Sequence, residues 1–242
     1  MASTSETGHA KNAASFAELI SFAKGLGAKY NPSKESIQVA GLDAMHAAAA
    51  NALGAAKAAQ TAFDKATNQR ALAFDGLRKL STRVVAAFSV YATKDELNDL
   101  RSIQRKMQGA RAGKPVKTAA EGQPQTDKTI SVSQQSFDSL VDHFAKIIET
   151  VKSHSDYKPN EPELTTDGLK NKLDELKSAN AAVIDSYTAW NNSLITRNEI
   201  LYNPLTGLVA LAAMVKNYIR SVFGHQSPQH KQVSALKFTY AR

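Results

Sequence analysis

The sequence predicts an all-α fold: two tandem, internally duplicated helical-bundle units with long central helices. Three observations predict it. Apolar side chains recur at spacings of three and four along most of the chain, which is the period of one helix face. The 12 glycines and 7 prolines gather where that period breaks, and alanine, the best helix former, is abundant between them. The punctuation of the first half also returns in the second. Tyr30-Asn31-Pro32 answers to Tyr157-Lys158-Pro159, Gly41-Leu42 to Gly168-Leu169, Phe63 to Trp190 and Arg70 to Arg197, all at one offset. Matched turn residues at a fixed offset are the mark of an internal repeat.

Taken in order, residues 1–12 are small and polar and read as a flexible tail. A helix follows from Ser15, with Phe16, Leu19, Ile20, Ala23 and Leu26 on one face. Gly25 and Gly27 weaken its end, and Tyr30-Asn31-Pro32 stops it. Ser33 offers an N-cap for a long helix from Lys34 to Phe74. The seam of that helix reads Leu42, His46, Ala49, Leu53, Ala56, Gln60, Phe63, Thr67, Arg70, Phe74. Its steps alternate between four and three, the coiled-coil period. A break at Asp75-Gly76 leads to a third helix through Leu77, Leu80, Val84, Phe88 and Tyr91, and a fourth begins at Asp95.

Residues 110–133 lose all apolar period and are rich in Gly, Pro, Thr, Ser and Gln. They read as a linker too long for an ordinary loop, which sets the units at 13–109 and 134–242. The second unit restarts the first: Ser136-Phe137 with Leu140 and Val141 answers to Ser15-Phe16 with Leu19 and Ile20. Its long helix, from about Thr165 to Leu201, carries the seam Leu169, Leu173, Leu176, Asn180, Val183, Tyr187, Trp190, Leu194, Arg197, Leu201. A turn at Asn203-Pro204, an apolar helix, a break at Gly224 and a short closing helix complete the unit. Ser227 is placed to cap the closing helix, with Pro228 at its first position.

Three stretches of this half carry a family pattern. Tyr157–Glu161 reads Y-x-P-N-E. Arg197–Val209 reads R-N-E-x-L-Y-x-x-x-T-G-L-V. Val215–Phe238 reads V-K-x-Y-x-x-S-V-F-G-x-x-S-P-Q-x-K-Q-V-x-x-L-K-F. They resemble a family of uncharacterised all-helical bacterial proteins of the Bacteroidetes type. The resemblance is specific over 134–242 and reaches the first half only through the repeat. It implies a helical fold and brings no chemistry.

Composition excludes several function classes. The chain has no cysteine, so disulfides, thiolate nucleophiles and Cys-based zinc sites are ruled out. The N-terminus lacks the basic and apolar regions of a secretory signal. The apolar run Leu205–Val215 is about half the ~20 residues of a membrane span. The cytoplasm is the expected location, with signal-independent export left open. None of the phosphate-cradling, dinucleotide-binding, nucleophile-elbow or zinc-protease motifs is present. His225 and His230 lie five apart and would not share a helix face. Neither a metal nor a cofactor is expected.

The net charge of +8 belongs mainly to the first half and the middle, which raises the prior for an anionic partner modestly. The cluster Arg101, Arg105, Lys106, Arg111, Lys114, Lys117 could meet phosphate backbones, but it has no interleaved aromatics for base stacking. Its plainer reading is a solvated helix face running into the linker. The expected function is therefore a non-enzymatic structural or interaction protein acting through helix packing and self-association, with a second copy or another helical protein as partner. The alternative is a nucleic-acid or polyanion-binding module built on the Arg101–Lys117 cluster; a secreted helical toxin comes third.

Arg70 and Arg197 stand on apolar seams, where a guanidinium is costly unless paired or able to reach water. They could fix helix register, snorkel at a helix end, or hold an anion. The preferred expectation is a hydrogen bond to a carboxylate or to helix-end carbonyls within the same half.

Overall fold

The computed structural model describes residues 6–109 and 135–240. Among these the regular structure is helical, with no strand: α1 Glu6–Gly25, α2 Val39–Phe74, α3 Leu77–Phe88, α4 Lys94–Gln108, α5 Phe137–Lys152, α6 Thr166–Tyr202, α7 Leu208–Phe223 and α8 Pro228–Ala235. Short 3-10 turns at Gly27–Lys29 and Glu35–Ile37 join α1 to α2. The all-α expectation holds, and α2 and α6 are the long helices, with 36 and 37 residues. At 1.5 Å per residue each runs about 55 Å.

Local chemistry explains the helix ends. The side chain of Thr93 accepts from the Glu96 amide while the Glu96 carboxylate accepts from the Thr93 amide, a reciprocal cap that starts α4. Ser136 caps α5, and Ser227 caps α8 with Pro228 in the first turn, as the sequence predicts for α8. Gly224 ends α7 with φ +86°. Two ends differ from expectation. The long helix begins at Val39 rather than Lys34, because Glu35–Ile37 winds as a 3-10 turn flanked by extended Lys34 and Gln38. Residues 6–12, expected as part of a flexible tail, are the first turns of α1. His9 and Asn12 there are only 1% exposed, so they anchor the helix.

The chain forms two compact units: residues 1–65 with 185–242, and residues 66–184. This partition differs from the sequence halves 13–109 and 134–242, because the boundary falls inside both long helices and not at 110–133. Helices of this length present different ends to different sets of short helices. In the first unit, Phe16 and Leu19 of α1 join Leu42 and Ala49 of α2, Leu201 of α6, and Leu208, Val215 and Ile219 of α7 in one core. In the second, Leu77, Val84 and Phe88 of α3 and Met107 of α4 meet Phe144 and Ile147 of α5 and Leu169, Leu173 and Leu176 of α6. Each of these side chains larger than alanine contributes about 1.5–3 kcal/mol by leaving water.

The seam residues of the sequence are the inward-facing ones. Every seam residue of α2 is buried or half-buried, and so is every one of α6 except Tyr187, which is 51% exposed. Each unit also braces the entry to its long helix with a buried tyrosine. The Tyr30 hydroxyl donates to the Ile37 carbonyl, and the Tyr157 hydroxyl donates to the Leu164 carbonyl at 2.9 Å. Just beyond, the backbone folds tightly against the helix. A Cβ at Gly41 would lie 2.5 Å from the Glu35 carbonyl oxygen, and one at Gly168 would run into the Pro162 carbonyl. Only glycine admits that approach. Among the described residues, no helix is long and apolar enough to cross a membrane.

Candidate functional site

Arg101, Arg105 and Lys106 all lie on the solvent side of α4, whose opposite face buries Leu100 and Met107. None of the three forms an ion pair among the described residues, and the Arg105 Nε donates to the Arg101 carbonyl at 3.3 Å. Arg111, Lys114 and Lys117 lie outside the described residues.

Arg70 and Arg197 occupy unlike surroundings. The Arg70 guanidinium lies over the Phe137 ring, 4.2 Å from its centroid, and is half-buried. It makes no hydrogen bond among the described residues, and its Nε is sequestered from water. The expected carboxylate or carbonyl partner is thus replaced by an aromatic face, supplied by the other half of the sequence. A ring quadrupole attracts a cation without needing an acceptor atom. Arg197 is fully buried, and its Nε and Nη2 donate to the Asn198 Oδ1 at 3.1 and 2.9 Å. That acceptor is the carboxamide of the next residue in the chain. Snorkelling does not describe Arg197, whose side chain reaches no water.

A largely buried polar cluster lies in the first unit, where α1, α6, α7 and the segment after α8 converge. The Asn12 carboxamide makes a two-point bond with the backbone of Thr239: Nδ2 donates to its carbonyl at 2.7 Å, and its amide donates to Oδ1 at 3.0 Å. The same Nδ2 lies 3.2 Å from the Tyr202 hydroxyl, which also pairs with His9 Nδ1 at 2.6 Å. From α7, the Lys216 ammonium donates to the Leu236 carbonyl and sits 5.1 Å from the Phe238 ring centroid. Burial holds the Lys216 pKa below its ordinary value. Tyr240 closes the set with its ring 5.9 Å from that of Tyr202.

Other titratable groups are set by packing. Burial pushes the Tyr30 phenol up to about 12, with a smaller contribution from neighbouring Tyr218. The Tyr157 phenol is also raised to about 12 by burial, then by Tyr91 and Glu161. His143 on α5 is buried, and neither ring nitrogen finds a hydrogen-bond partner among the described residues. Burial, followed by the Lys146 charge, holds its pKa below the ordinary imidazole value. His225 and His230 do meet, with ring centroids 5.1 Å apart, because the break at Gly224 turns the chain back and His230 Nδ1 pairs with the His225 carbonyl. Among the described residues, no group of three or more His, Asp or Glu is placed to hold a metal ion.

Each unit has one open groove at the matched glycine. In the first, Gly41, Ala44, Met45, Ala48, Leu205 and Leu211 line about 400 Å³. In the second, Gly168, Asn171, Lys172, Glu175, Lys79 and Leu80 are among the residues lining about 770 Å³. The first is apolar and the second charged. No known family, curated protein or solved structure matches the chain.

Sequence reasoning missed the clasp around Asn12. Its only local signal was a polar residue facing inward at a helix start, and its partners are remote in the chain. The 3.6-residue period of α1 could have been extended back through Asn12 and His9, which fall one turn apart.

Proposed function

We propose that this chain is a non-enzymatic interaction protein that works through helix packing and associates with copies of itself. The observation that carries the reading is a pair of exposed large apolar side chains on α6 in the first unit. Tyr187 is the one exposed seam residue among those described, and Ile195 nearby on the same helix is 65% exposed. Tyr187 packs at the edge of a half-buried aromatic set, with Phe63 and Trp190 stacked at 5.4 Å and Tyr187 5.5 Å from Phe63. Opposite, α2 buries little more than Ala52 and Ala56 over this stretch. A small-residue seam with large apolar groups left outside suits further helix packing. Light scattering of the full chain over a wide concentration range tests it. Concentration-dependent assembly that Tyr187→Lys with Ile195→Lys reverses is the expected result; a strict monomer overturns it.

The chain is also proposed to be an internal repeat, with antiparallel coiled-coil pairing along its seams. The matched Tyr30 and Tyr157 hydrogen bonds, the matched crowding at Gly41 and Gly168, and the corresponding grooves support this.

A second reading, polyanion binding, is favoured by the open presentation of Arg101, Arg105 and Lys106 without acidic partners. Phosphate contacts weaken steeply with salt. Titration against DNA and RNA at low and moderate salt tests it, and no binding at low salt eliminates it.

A further inference from the structure

We infer that the cleft built by Asn12, Tyr202 and Lys216 is a recognition site for an extended segment of pattern Leu-x-Phe-x-Tyr, and that its partner in trans is segment 236–240 of a second copy. This deepens the self-association reading and rests on it for the identity of the partner. In the structure the chain's own segment fills the cleft, which shows what fits there.

The recognition has two parts. The Asn12 carboxamide turns its oxygen and one of its two N–H donors to the amide and carbonyl of the same residue, Thr239, while Nδ2 also reaches the Tyr202 hydroxyl. This reads backbone, so it accepts any residue at that place that keeps its N–H. Side chains are read at alternate positions, as an extended strand requires. Leu236 and Phe238 pack against the core of the first unit, while Lys237 and Thr239 are exposed. Lys216 selects the aromatic at 238 through its ring face and caps the carbonyl at 236. Tyr202 receives Tyr240.

The occupying segment carries no regular structure, and Tyr240 is 59% exposed. Exchange of an identical segment between copies conserves every one of these contacts and is a low-cost route to assembly. The tethered segment competes at a local concentration on the order of millimolar, so free peptide binds the intact chain weakly.

The test uses the full chain carrying Thr239→Pro, which deletes the amide donated to Asn12 and loosens the resident segment. Its helical circular dichroism is checked first; should it fall, the full chain carrying Phe238→Ala takes its place. A labelled peptide of residues 233–240 is titrated into it by fluorescence anisotropy. Binding is expected to be roughly tenfold or more tighter than to the unaltered chain. Peptides carrying Phe238→Ala or Thr239→Pro are expected to lose a similar factor. Absence of binding at about 1 mM peptide, or equal binding of all three peptides, overturns the site. That result leaves self-association to stand or fall on light scattering. If peptide binds but crosslinking finds no 236–240 segment of one copy in the cleft of another, the copy is overturned as partner.

Discussion

Alkaline destabilisation should run through two phenols. Tyr30 and Tyr157 are 7% and 5% exposed, and each donates its hydroxyl to a backbone carbonyl. Both have pKa values raised from 10.0 to about 12, chiefly by burial. A folded pKa above the unfolded one means the folded state keeps its proton longer, so the stabilisation is complete below about pH 10 and drains away between about 10 and 12. At 1.36 kcal/mol per unit, a two-unit rise is worth about 2–3 kcal/mol per tyrosine, or about 5 kcal/mol for the pair. Urea unfolding of the wild type, Tyr30→Phe, Tyr157→Phe and the double variant, stepped from about pH 8 to about pH 12, isolates the effect, since lysine deprotonation in this range is common to all. Near pH 8 each single variant should be less stable by about 0.5–1.5 kcal/mol for the lost hydrogen bond. By about pH 12 the order should reverse, as the wild type forfeits what the phenylalanine never had. Stability curves that stay parallel across the range would refute the reasoning.

Arg197→Met should cost about 1–3 kcal/mol, the usual loss for hydrogen bonds from a charged group, whereas Arg70→Met should cost about 0.5–1 kcal/mol for a partly exposed cation–π contact. Thermal unfolding that ranks them the other way would contradict the two environments described. Gly41→Ala and Gly168→Ala should each lose about 1–3 kcal/mol from forced backbone displacement, while Gly54→Ala, where a Cβ meets nothing within 4 Å, should gain up to about 1 kcal/mol; equal effects at the three sites would falsify the close-approach argument. His143 binds its proton less readily when folded, so stability should fall as pH drops below about 6.5. His143→Leu should flatten that slope and raise stability at neutral pH, and chemical denaturation at several acidic pH values checks both.

Helix identity was legible because it rests on local period. The seams of α2 and α6 could be written residue by residue, since a three-four alternation places side chains on one stripe whatever packs against it. Turns were legible for the same local reason: Pro228 after Ser227, Gly76 and Gly224 act through their own backbone. The start of α2 was misplaced because the choice between a 3-10 turn and an α-helix at Glu35–Ile37 depends on the approach to Gly41, a tertiary contact. The acceptor of Arg197 and the ring beneath Arg70 were not legible either. Sequence shows that a buried cation needs a partner, but several elements compete to supply it. The partition into compact units failed for a related reason: period and offset report which residues face inward, not which other segment they face.

That partition has a consequence for cutting the chain. Each core draws on residues from both sides of 110–134, with α1 and the start of α2 completed by α7, and α3 and α4 completed by α5. A single cleavage in 110–134 would therefore yield two polypeptides that each carry half of two interiors and the whole of neither. Such fragments are expected to be unfolded separately and to recover helical structure on mixing, by mutual templating. A break there would sever the covalent thread but leave the architecture recoverable, whereas a break inside α2 or α6 would interrupt a strut belonging to both interiors at once.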